Sequence, residues 1–124
     1  MHFHSPGANT PADPFVIFAE LGFQTAEGRN ASLPYWQAVI DTGRDKEPGT
    51  LMYGVFEDTD DPTKLCTWEV YDVEKSWAEV HSPGQAVQDV IKNTQSTWDG
   101  LTKNTLENIG GWMYKESMDQ ELAK

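Results

Sequence analysis

One α+β domain, a four-stranded antiparallel sheet with two helices on one face, is the fold this sequence predicts. Three observations lead there: the length of 124 residues, the order in which apolar periodicities change along the chain, and an excess of large rings. A chain of this length supports one modest core without disulfides or metal. Five Trp, five Phe and four Tyr are many for it, and such rings dominate buried area in cores, interfaces and ligand pockets.

Residues 1–13 carry Pro6, Gly7 and Pro11 and few apolar anchors, so they read as a flexible arm. His2 and His4 belong to this arm and, without further ligands, make no defined zinc site. Phe15, Ile17, Ala19, Leu21 and Phe23 then alternate with Val16, Phe18, Glu20 and Gly22, the pattern of a strand covered on both faces. After Gly28, the residues Leu33, Trp36, Val39 and Ile40 keep helical spacing, with Pro34 in a first turn behind Ser32 and the pattern ending over 43–48.

Glu47-Pro48-Gly49 reads as a turn, after which Leu51, Tyr53 and Val55 alternate with Met52, Gly54 and Phe56 as far as the acidic loop 57–62. The next strand, 65–71, forms a hairpin with it. Asp72 caps a helix from about Glu74 that carries Trp77 and Val80 to His81. Ser82-Pro83-Gly84 breaks that helix before Val87, Val90 and Ile91 resume its spacing. Residues 98–108 read as a connector with Leu101 and Leu106 tucked in, and Ile109, Trp112 and Tyr114 as a short last strand. The domain thus spans 14–116, with a polar tail at 117–124.

Strand, helix, strand, strand, helix, strand is the order of the ferredoxin-like split βαβ sandwich. Its helices cover one sheet face only. Cys66, Trp68 and Val70 alternate with Leu65, Thr67, Glu69 and Tyr71, so either register leaves large apolar groups on the open face. Two sheets packed face to face would hide them, and a homodimer is expected.

Charge and motifs exclude several classes. Twenty acidic against nine basic residues, a formal charge of -11, give no field for nucleic acid or an anionic membrane surface. A lone Cys66 forms no internal bridge and fits a reducing compartment. No signal-peptide pattern and no run of membrane-spanning length is present, so a cytoplasmic protein is expected. Asp58, Asp60 and Asp61 lack the central Gly and the bidentate Glu of a calcium loop. With no G-x-G-x-x-G, P-loop, G-x-S-x-G or paired cysteines, no metal and no cofactor is expected.

Three stretches, in this order and spacing, are more specific: Glu47-Pro48-Gly49-Thr50-Leu51-Met52-Tyr53, Trp68-Glu69-Val70-Tyr71-Asp72 and His81-Ser82-Pro83-Gly84. They resemble the antibiotic biosynthesis monooxygenase (ABM) domain family, over about 15–91 and more weakly to 114. The resemblance implies a dimeric α/β barrel in which each protomer has a cavity between sheet and helices. Similar domains oxidise polyketide-derived phenols or anthrones without metal or flavin, degrade haem, or isomerise small metabolites. The haem-degrading branch has an Asn on the first strand, a Trp near the end of the third and a His in the second helix. Here the first strand has no Asn, Tyr71 replaces the Trp, and 85–91 offers no axial imidazole, which argues against haem.

The resemblance also implies that Thr67, Glu69 and Tyr71 face the helices and the cavity, while Trp68 points into the dimer. His81, at the broken helix end, then suits a base or hydrogen-bond donor, against a capping role at the bend. Glu69, among apolar neighbours, needs either structural donors or a part in the chemistry. Tyr71 and Tyr53 with Trp36 would form an aromatic wall with polar tips for a flat ligand, although each is equally explicable as a core ring. Thr67 shares that face. Glu20 would line the same cavity or serve in an ion pair.

The functional reading is a cofactor-independent monooxygenase of secondary metabolism acting on an electron-rich hydroxyaromatic or polyketide-derived intermediate. His81, Glu69 and Tyr71 are its candidate catalytic residues; Tyr53, Trp36, Thr67 and Glu20 are its candidate substrate contacts. Two alternatives stay open: a cyclase, isomerase or decarboxylase using the same groups without O₂, and a non-catalytic dimeric module that binds a small aromatic ligand.

Overall fold

The structure, a computed structural model, describes residues 14–107 and residue 109. The expected arm at 1–13 with His2 and His4, the strand through Trp112 and Tyr114, and the tail at 117–124 lie outside the described residues. The elements run β1 (Phe15–Phe23), α1 (Ala26–Lys46), β2 (Thr50–Glu57), β3 (Lys64–Tyr71), a π-helical turn (Ser76–His81), α2 (Gln85–Thr94) and β4 (Trp98–Glu107). The sheet order is β2-β3-β1-β4 with every pair antiparallel. This is the ferredoxin-like α+β sandwich, with the second helical segment broken where Ser82-Pro83-Gly84 stands.

Two boundaries differ from expectation. Helix α1 begins at Ala26, because Thr25 in extended conformation caps it, its Oγ1 accepting from the Gly28 amide at 3.0 Å. Pro34 therefore lies in the helix interior rather than in a first turn, at the cost of one backbone hydrogen bond. Packing pins the helix despite this. Arg29, Ser32, Val39 and Gly43, spaced by three, seven and four residues, are buried along one face. Arg29 extends from that face to an ion pair with Glu57 at 2.7 Å, tying α1 to β2.

The fourth strand is Trp98–Glu107, the stretch expected to be a connector. It pairs with β1 from Phe15↔Glu107 to Leu21↔Leu101. Nearly all its residues are exposed, so no apolar alternation betrays it; Thr102 and Thr105 are the β-branched residues that fit a strand.

The helix-facing side of the sheet carries the core: Ile17, Leu21, Phe23, Leu65 and Tyr71, closed by Val39 of α1 and Val90 of α2. The opposite face is largely apolar and only partly covered, with Val16 and Val70 buried on it. Phe56, Trp68 and Leu106 are 53%, 39% and 40% exposed there, and Phe18 meets Trp68 edge-on at 5.8 Å.

Gly49 sets how closely the β2 approach can dock on the π-helical turn. A Cβ at this position would stand 2.2 Å from Ser76 Oγ and 2.6 Å from Ser76 Cβ. The Gly49 carbonyl also accepts from the Asp72 amide at 3.0 Å. Gly49→Ala is expected to lower stability by about 1–3 kcal/mol in a denaturant melt. An unchanged midpoint would show that the two segments do not depend on this approach.

Candidate active site

Strand periodicity builds the first part of the site. Thr67, Glu69 and Tyr71, two residues apart on β3, all point toward the helices and are all buried. The Glu69 carboxylate accepts from Thr67 Oγ1 at 2.7 Å on Oε2 and from the Tyr71 hydroxyl at 2.5 Å on Oε1. Tyr53 lies directly across from Glu69 on β2.

The π-helical turn supplies the imidazole. Its wide winding is seen in the Ser82 amide, which donates to Trp77 O five residues back at 2.8 Å. At its start Asp72 Oδ1 accepts from the Val73 amide and from Ser76 Oγ. Such turns recur where a side chain must be aimed. Here the last residue, His81, is 3% exposed and its ring lies 5.0 Å from that of Tyr53 and 5.4 Å from that of Tyr71. Its Nε2 is 3.9 Å from Glu69 Oε1, an electrostatic contact too long for a hydrogen bond.

The other ring nitrogen reveals a residue that the sequence reading took only as part of a turn. His81 Nδ1 is 2.8 Å from Glu47 Oε1, and Thr50 Oγ1 donates to the same oxygen at 2.8 Å. Glu47 ends α1 and is 8% exposed. With a carboxylate on that side, Nδ1 carries the hydrogen and Nε2 is turned to Glu69. The signal was present in sequence as a Glu ahead of Pro-Gly, but no alternation or helical stripe marks such a position as buried.

The result is one buried polar row: Glu47, His81, Glu69 and Tyr71. Two desolvated carboxylates are costly unless donors surround them, and Thr50, His81, Thr67 and Tyr71 are those donors. Burial, followed by the charges of Glu69 and Glu47, holds the Tyr53 phenol well above its ordinary range. Burial, then the charge and hydrogen bond of Glu69, does the same for Tyr71. Both therefore keep their protons at neutral pH, and neither is a base there.

Two expected contacts are not brought here. Trp36 packs on Leu21, Phe23 and Leu65 with Val55 and Trp98, at the far end of β3 from Tyr71; its Nε1 is buried without a hydrogen-bond partner among the described residues. Glu20 is exposed and sits opposite Cys66 and Thr102, on the face turned away from the helices. A strand residue cannot serve both faces, so Glu20 is removed from the cluster. Among the described residues no group of three or more His, Cys, Asp or Glu is arranged to hold a metal ion.

A cavity that Glu47 lines borders the row, and another lies nearby. The first, of about 280 Å³, lies where Glu47 and Thr50 face Asp72, Ser76 and Val80. The other, of about 410 Å³, lies at the Phe15 end of β1, between Val73 and Leu106.

The fold holds the two phenol protons more tightly than the unfolded chain does. Stability is therefore unaffected below the ordinary phenol value near 10 and falls as pH rises above it, because only the unfolded chain then releases those protons. In an alkaline absorbance titration, Tyr53 and Tyr71 should ionise only as the chain unfolds. Early, reversible ionisation assigned to either by its Phe variant would contradict this burial.

No family model matches the chain, and no curated protein matches it in sequence. Solved structures do match. Rv0793 of Mycobacterium tuberculosis superposes with a TM-score of 0.65 at 19% identity, over 75% of this chain and 92% of that one. A Bacteroides thetaiotaomicron protein provisionally named an antibiotic biosynthesis monooxygenase gives 0.69 at 16% identity, over 75% and 87%. A Nitrosomonas europaea protein with the same provisional name gives 0.66 at 16%, over 78% and 89%. At these identities the likeness establishes architecture, and this chain has the fold of structures named as antibiotic biosynthesis monooxygenases.

Proposed function

We propose that the chain is a cofactor-independent monooxygenase acting on an electron-rich hydroxyaromatic or polyketide-type intermediate. The observation that carries this reading is the buried Glu47–His81–Glu69–Tyr71 row, a proton-handling device in a fold shared with proteins named as monooxygenases. The sequence resemblance to ABM domains supports the same reading.

The chemistry asks the protein for proton transfer and a dry site. The phenolic or benzylic proton of the substrate passes to the row, where His81 and Glu69 hold it. The electron-rich anion left behind gives one electron to O₂, and the radical pair combines to a hydroperoxide once a proton returns. Loss of water leaves one oxygen atom on the substrate as a carbonyl and the other in H₂O. Tyr71 is engaged with Glu69, so its part is to hold that carboxylate; Tyr53 supplies the ring surface against His81. A cyclase or isomerase would use the same row, since nothing in its geometry is specific to O₂.

Hydroxyaromatics and anthrones incubated with the purified protein in air and under argon separate the two. Product is expected only in air, with His81→Ala and Glu69→Gln slower by about 10²–10⁴-fold. Product in both atmospheres would establish the cyclase or isomerase instead.

The open face of Phe18, Phe56, Trp68 and Leu106 is the proposed homodimer interface. Light scattering should give about twice 13.9 kDa, and Trp68→Glu should shift the protein toward the monomer. A wild-type monomer at micromolar concentration would rule this pairing out.

A further inference from the structure

The buried row leaves one oxygen over. Glu47 Oε1 takes both the Thr50 hydroxyl and His81 Nδ1, each at 2.8 Å. Glu47 Oε2 takes no hydrogen bond from any described residue, although Glu47 is 8% exposed. Glu47 stands in the wall of the 280 Å³ cavity, so this unengaged oxygen of a largely buried carboxylate is the one open to a donor from that cavity. Glu69 differs on each point: both of its oxygens have donors and it does not border that cavity.

The geometry points to this cavity as a ligand site in which Glu47 Oε2 accepts the O–H of a small hydroxyaromatic, so that Glu47 is the member of the row that touches the ligand. The inference rests on the hydroxyaromatic reading above and gives that ligand its place. Pro48 and Val80 provide apolar walls, and Thr50 and Ser76 bring hydroxyls. Asp72 Oδ1 is engaged by Ser76 Oγ and the Val73 amide as a cap for the helical turn, and Asp72 is exposed to solvent, which leaves Glu47 as the buried carboxylate of the wall. None of the described lining residues is basic, so the site favours a donor and repels an anion of the same shape. His81, directly behind Glu47, is where a ligand at Oε2 would be felt.

Nuclear magnetic resonance titrations of the full chain with 2-naphthol and with 2-naphthoate test this. 2-Naphthol should bind and move the His81 ring ¹⁵N signals, and 2-naphthoate should bind at least about tenfold more weakly. Val80→Trp fills the cavity from a half-exposed position and should cost 2-naphthol about tenfold or more in affinity, as should Glu47→Gln. Val73→Trp, beside the 410 Å³ cavity, should leave binding unchanged. Equal binding of the two probes, or loss with Val73→Trp and not with Val80→Trp, would overturn the site. Oxygen-dependent turnover that survives Val80→Trp would also overturn it while leaving the monooxygenase standing. Binding lost with Val80→Trp in a protein that oxidises nothing would keep the site and remove the monooxygenase. No binding of 2-naphthol to the wild type would remove both.

Discussion

Burying two carboxylates beside one imidazole constrains much of the molecule. Glu47 and Glu69 are both largely withdrawn from solvent, so each must be met by donors whose positions the backbone fixes. For Glu69 the sheet supplies them at no extra cost in geometry, because Thr67 and Tyr71 are its neighbours on the same strand face. For Glu47 they come from Thr50, three residues on, and from His81, thirty-four residues away. That second contact ties the end of α1 to the end of the π-helical turn, and breaking one partner away would strand the other as a buried unpaired polar group.

The neighbouring features follow from that long-range contact. The π winding from Ser76 to His81 reaches the sheet with its last residue, and Ser82-Pro83-Gly84 keeps the helix from running on past it. Gly49 allows the opposite wall to approach Ser76 closely, while the Asp72 amide bonds to Gly49 and its carboxylate caps the turn. Thus the three stretches that resembled ABM domains in sequence meet in space: the turn holding Glu47, the strand holding Glu69 and Tyr71, and the bend holding His81. Burial and the neighbouring carboxylate charges hold both nearby phenols, Tyr53 and Tyr71, neutral.

Sequence alone carried the parts governed by local periodicity. β1 was legible to the residue because its apolar alternation is unbroken from Phe15 to Phe23, and the helix break was legible because Pro83 and Gly84 punctuate it. β4 was not, since an exposed edge strand has no buried face to print a pattern. Glu69, Tyr71, Thr67, Tyr53 and His81 fell together as expected from alternation and the resemblance. Trp36 went to the other end of the core, and Glu20 to the other face, because an intrusion in an apolar run does not say which side it serves. Glu47 was missed because its burial depends on a partner far along the chain, which no local spacing encodes.

The central claim is that Glu47, His81, Glu69 and Tyr71 act as one buried row, and the His81 imidazole reports on it directly. Nitrogen-15 resonance of the wild type and of Glu47→Leu should show a slowly exchanging Nδ1–H in the wild type that is lost in the variant. Detection of a hydrogen only on Nε2, unchanged when Glu47 is replaced, would contradict the row and the proton handling built on it.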